Sequence, residues 1–140
     1  MAGFTVQDAK STFESNFAPW VQDLGLVFEE VGKGYVRVRL PFNERLTRSG
    51  GILSGQAMMA VADTAMVFCI SSQLGGYQNM ATVSQTTNFL RPVGNADAIC
   101  EVRIIKPGRN LVYGEATIFA DGSDKPAAHA TVTYALAPSG

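Results

Sequence analysis

Ser54-Gly-Gln-Ala-Met-Met-Ala-Val-Ala-Asp63-Thr-Ala-Met-Val-Phe-Cys-Ile-Ser-Ser-Gln-Leu74 reads as one long helix, apolar almost all the way round and carrying a single charge, Asp63. A helix without a polar face belongs inside a core. A lone carboxylate there is costly unless something compensates it, and such groups concentrate at working sites. Asp63 is therefore the first candidate for chemistry. The competing reading has Gln56, two turns back on the same face, or a hydroxyl from another element hold it for packing alone. A membrane span is disfavoured by Gln56, Asp63, Thr64, Ser71, Ser72 and Gln73 within the run, and by the alternating segments around it.

Outward from that helix, Gly75-Gly76 supplies its stop and the loop Pro41–Gly51 its approach. Upstream, Thr5-Val-Gln-Asp8 resembles a capping box opening a short helix toward Pro19, with Phe13, Phe17 and Trp20 packing inward. Two strands, Leu24–Glu30 and Tyr35–Leu40, flank the turn Val31-Gly-Lys-Gly34. Downstream, the strands Ala81–Leu90, Ala98–Lys106, Leu111–Ala120 and Ala127–Ala137 are separated by Pro/Gly/Asn/Asp-rich breaks. Four strands joined by short turns leave no room for crossover helices, so the sheet is antiparallel. The expectation is an α+β chain with one domain over residues 1–140, its curved sheet wrapped around the apolar helix. That order and those lengths resemble the hotdog fold.

Composition narrows the function. The 140 residues carry a net charge of −1 with 16% charged side chains, which argues against a phosphate-backbone partner. Cys69 and Cys100 form no CxxC, and there is one histidine in the chain, so neither a metal site nor a disulfide framework is indicated. No basic segment followed by an apolar run opens the sequence, so a cytoplasmic protein is expected. Gly50, Gly51 and Gly55 have a G-x-x-x-x-G spacing, but Gln-Ala follows where a phosphate loop needs Lys-Ser/Thr. Nucleotide binding is discounted. His129 alternates with Thr131 and Thr133 on the polar face of the last strand.

Gly51-Ile-Leu-Ser54-Gly55-Gln-Ala-Met-Met-Ala-Val-Ala-Asp63-Thr-Ala, with Asn88-Phe-Leu-Arg-Pro92 and Lys106-Pro-Gly-Arg109, is similar to the hotdog thioesterases of the phenylacetate-degradation (PaaI-like) type. In that family a His-Gly-Gly motif opens the central helix nine residues before a catalytic Asp, and Asp63 stands nine residues after Ser54. The sequence departs at three positions: Ser54 stands for the His, Gln56 for the second Gly, and Arg48 for an upstream Asn.

The resemblance implies an acyl-coenzyme A thioesterase with no metal or other cofactor beyond the coenzyme A of its substrate. Asp63 would be general base or nucleophile. The Gly55 N–H, in a first helical turn that lacks intrahelical acceptors, would polarise the thioester carbonyl. The family completes this pairing across a dimer interface, so a homodimer or a dimer of dimers is expected. Thr82 occupies the place of a hydroxyl that orients the water. Ser54 is a good helix N-cap in its own right. Arg48, Gln56, Arg91, Lys106 and Arg109 are assigned to substrate binding, the last two matching the coenzyme A phosphate region. The plainer reading of the basic residues is solvated charge. Met58, Met59 and Met66 are read as core and acyl-pocket lining, and an apolar or aromatic acyl group is expected. The rival functions are a catalytically weak or inactive acyl-CoA-binding regulator and a dehydratase or hydratase, the latter opposed by the absence of any His on the central helix or in its approach loop.

Overall fold

Thr5 caps the first helix, α1 (Val6–Asn16), through a reciprocal box: the Asp8 N–H donates to the Thr5 hydroxyl at 3.1 Å, and the Thr5 N–H donates to Asp8 Oδ2 at 2.9 Å. In this computed structural model, which describes residues 3–137, the helix stops before Pro19 and a four-residue helix, α2 (Pro19–Gln22), begins there. Phe13 is buried as expected, but Trp20 is 64% exposed instead of packing inward. Proline at the start of α2 explains the break, because the residue before a proline is pushed out of helical geometry.

Strands β1 (Val27–Gly32) and β2 (Tyr35–Leu40) form the predicted hairpin, with β1 starting three residues later than expected. Within the region read as a loop, a 3-10 turn at Glu44–Leu46 leads into two short strands, β3 (Thr47–Arg48) and β4 (Ile52–Leu53). Helix α3 (Gly55–Leu74) follows. It ends at Gly75, whose φ of 86° lies in the left-handed region that glycine adopts at little cost. The remaining strands are β5 (Met80–Phe89), β6 (Ala98–Pro107), β7 (Leu111–Ala120) and β8 (Pro126–Leu136).

Six strands make one antiparallel sheet in the order β1-β2-β6-β7-β8-β5. Its concave face covers α3, where Val61, Ala62, Ala65, Met66, Phe68, Cys69 and Ile70 are almost fully buried. This is the hotdog arrangement, and it accounts for the missing polar face of the helix. Although α3 is long and apolar enough to cross a membrane, 72% of that stretch is buried inside the protein. The α1 end of the core is closed by Phe13, Phe17, Phe28 and Phe68, with ring centroids 4.5–6.2 Å apart. On the opposite, convex face Arg37 and Arg39 pair with Glu29, Glu101, Asp97 and Asp121. His129 lies on that face too, 2.9 Å from Glu115.

β5 is the edge strand, and it contains a bulge. Thr82 pairs with Tyr134 and Ser84 with Thr133, leaving Val83 as an extra residue. Plain alternation from Gln85, Thr87 and Phe89 on the helix-facing side would turn Thr82 outward; the bulge turns it in.

Candidate active site

Asp63 sits in the middle of α3, only partly buried, facing the β5 edge. Its Oδ1 accepts from the Thr82 hydroxyl at 2.8 Å and from the Tyr134 hydroxyl at 2.7 Å. The Tyr134 oxygen is also 2.8 Å from the Asp63 carbonyl oxygen, so its one proton is shared between two acceptors. Burial, with the neighbouring carboxylate adding to it, pushes the Tyr134 phenol far above its ordinary range and keeps it a donor. None of the described groups donates to Oδ2, and no described buried side-chain oxygen is unpaired, so Oδ2 reaches solvent. One turn earlier, the Gln85 amide donates to the Met59 carbonyl at 3.2 Å and to the Thr87 hydroxyl at 3.0 Å, fastening β5 to the helix.

The other part of the site is the N-terminus of α3. Ser54 is its N-cap: the Ala57 N–H donates to the Ser54 hydroxyl and the Met58 N–H to the Ser54 carbonyl, both at 3.2 Å. Among the described residues no acceptor meets the N–H of Gly55 or Gln56, so two oriented donors are open. A Cβ on Gly55 would lie 3.3 Å from the Phe89 ring, tighter than ordinary contact. Glycine thus lets β5 close against the helix start. A cleft of about 370 Å³ opens here, lined by Arg48, Gly55, Met58, Phe89, Arg91 and their neighbours. Replacing Ser54 by Ala removes the cap, so the folding free energy should fall by about 1 kcal/mol, with a loss of rate as the first turn frays. Denaturant unfolding and steady-state turnover test this together; unchanged stability would mean that the cap contributes nothing.

The expected site residues fall into two groups. Thr82 joins Asp63. Lys106 and Arg109 flank the β6–β7 turn, which the Leu136 N–H bonds at Asn110, so they lie at the end of the sheet where β5 begins near Thr82. Arg48 and Arg91 lie at the far end of β5 beside Gly55, where Arg91 donates to the Pro126 carbonyl at 2.8 Å. Gln56 joins neither group. It lines a separate cleft of about 320 Å³ with Trp20, Asn43, Arg45 and Leu46, so the hydroxyls of Thr82 and Tyr134, not Gln56, hold Asp63. Gly55 and Asp63 are eight residues apart on one helix, about 12 Å along its axis at 1.5 Å per residue.

Sequence reasoning missed Tyr134, Gln85 and Phe89. The signal for Tyr134 was present: it belongs to the inward set Ala128, Ala130, Val132 and Tyr134, and a buried phenol needs a partner. For Gln85 and Phe89, alternation shows which residues share a face but not what lies across from them.

Comparison with known proteins agrees with this fold. The family model for the acyl-CoA thioesterase N-terminal domain matches residues 41–135. A Saccharolobus solfataricus protein, assigned provisionally as an esterase, is 33% identical over 113 residues, covering 81% of this chain and 74% of that one. The structure of a thioesterase family protein from Silicibacter pomeroyi superposes with a TM-score of 0.79 at 26% identity, over 92% of this chain and 95% of that one. A thioesterase from Haemophilus influenzae shares the fold, with a TM-score of 0.83 at 22% identity over 97% and 92% of the two chains.

Proposed function

Because the chain belongs to the hotdog acyl-CoA thioesterase family and is a thioester hydrolase, we propose that its substrates are acyl-coenzyme A thioesters and that Asp63 is the working carboxylate. The observation that carries this reading is the pairing at Asp63, where Oδ1 is occupied by two hydroxyls and Oδ2 is free to act. In the general-base route a water oxygen attacks the acyl carbon and its proton passes to Oδ2. The carbonyl electron pair moves to oxygen, where the open N–H groups at an α3 N-terminus hold the oxyanion, an effect worth about 3 kcal/mol per well-placed donor. Collapse re-forms the carbonyl and breaks the C–S bond, and the coenzyme A thiolate takes up the proton. In the nucleophilic route Oδ2 itself attacks and displaces the thiolate, and water hydrolyses the resulting anhydride. Both routes use the same oxygen.

The separation of Gly55 from Asp63 supports a site shared by two chains. β5 is an unpaired edge carrying exposed Val83 and Phe89, with Leu90 just beyond it and Met59 of α3 alongside, and such an edge calls for a partner. A two-fold axis pairs β5 with its copy in antiparallel fashion. The Asp63 end of one chain then lies beside the Gly55 end of the other, and Lys106 and Arg109 of one chain approach Arg48 and Arg91 of its mate. We take the basic residues as contacts for the coenzyme A phosphates. We take the setting as reducing and cytoplasmic, in keeping with two free, buried thiols, Cys69 and Cys100, and no disulfide among the described residues.

The test is a panel of aliphatic and aromatic acyl-coenzyme A esters with detection of free thiol. Turnover of at least one class is expected. Saturable binding without thiol release across the panel would overturn hydrolysis of these esters in favour of a binding protein.

A further inference from the structure

We propose that Tyr134 is a positioning residue for hydrolysis, one that fixes the Asp63 carboxylate so that Oδ2 alone faces the substrate. The inference rests on the reading of Asp63 as the working carboxylate. Three features of the structure converge on it. First, Tyr134 and Thr82 are cross-strand partners on β8 and β5, and both hydroxyls reach the same oxygen, Oδ1, at 2.7 and 2.8 Å. A carboxylate held by one donor can still swing about its side-chain bonds; one held on a single oxygen by two donors from two strands has its plane and its free oxygen set. Second, the Tyr134 hydroxyl also approaches the Asp63 carbonyl oxygen at 2.8 Å, so it ties side chain and main chain of the same residue together. Third, the β5 bulge at Val83 turns the Thr82 hydroxyl toward Asp63; without it Val83 would occupy the inward position opposite Tyr134.

The arrangement exceeds what packing needs. Tyr134 is 4% exposed, and to the packing of its ring the hydroxyl adds the contacts to Asp63 beside Thr82. Because burial keeps the phenol protonated, it donates throughout the working pH range and never competes for the proton that Oδ2 takes. A reacting carboxylate free to swing out of line lowers the chemical step without affecting how the rest of the substrate binds.

Tyr134→Phe keeps the ring and removes the two contacts. With the acyl-coenzyme A ester that the wild-type protein turns over best, kcat should fall at least about tenfold, while KM changes less than about twofold. Thermal unfolding of the same preparation reports whether the variant is folded. Thr82→Ala and the Thr82→Ala/Tyr134→Phe pair complete a double-mutant cycle. Because both hydroxyls serve one oxygen, the double variant should lose less than the product of the two single losses. A Tyr134→Phe protein that is folded and has an unchanged kcat overturns the proposal while leaving the role of Asp63 intact. So does a loss of activity that matches the loss of folded protein, since a structural role alone would produce it. If Asp63→Asn itself retains full turnover, the underlying reading of the site and this proposal fail together.

Discussion

Asp63→Asn is expected to lower thioester hydrolysis at least about a hundredfold in a protein that remains folded. An amide has nearly the same shape as the carboxylate, and its carbonyl oxygen can take the place of Oδ1, accepting from Thr82 at 2.8 Å and Tyr134 at 2.7 Å in the wild-type geometry. The amide nitrogen then occupies the place of Oδ2, where it is neither a base nor a nucleophile. General-base catalysis contributes about a hundredfold or more, and the nucleophilic route loses at least as much. Stability should change little or rise, because a partly buried charge is removed from an otherwise apolar helix. Free-thiol release measured beside thermal unfolding separates the outcomes. A variant that unfolds while its folded fraction keeps full specific activity would make Asp63 a structural residue.

How far the sequence revealed this site depended on whether the information was local. The capping box at Thr5–Asp8, the N-cap at Ser54 and the stop at Gly75 are set by neighbours within one turn, and each is found where the sequence placed it. The strands β5 to β8 match to within about one residue because alternation and turn residues are local as well. The fold followed from one global inference, that a helix apolar on all sides must be wrapped. What hid was whatever depends on which strand ends up beside α3. Gln56 was a plausible partner for Asp63 by helical spacing, yet β5 and β8 supply the partners, and nothing in the order of strands along the chain says that the β5 edge pairs with β8. The bulge at Val83 was hidden for a similar reason. It turns Thr82 inward to Asp63 against the two-residue period, a tertiary contact that alternation along one strand does not report. The short strands β3 and β4 escaped notice because two-residue pairs leave no periodicity to read.

Two inactive variants should restore activity to each other. One carries Asp63→Asn with Gly55 intact; the other carries Gly55→Val with Asp63 intact. The valine Cβ would lie 3.3 Å from the Phe89 ring, and the γ carbons would crowd the space in front of the open N–H groups, so the helix N-terminus should no longer approach a carbonyl. Each variant alone is expected to be nearly inactive as a homodimer. Co-expressed with different affinity tags and purified through both, they form heterodimers with two unequal sites. One site combines the intact Gly55 of one chain with the intact Asp63 of the other; the opposite site combines both defects. Such a heterodimer should therefore turn over at about half the wild-type rate per dimer, as the symmetry of a shared two-fold site requires. The expectation follows from the proposed shared site: with about 12 Å along the helix between residues 55 and 63, a thioester group a few ångströms across would take its two functions from different chains. Heterodimers as inactive as their parents, or full activity from an isolated monomer, would place the whole reaction within one chain and overturn the shared site.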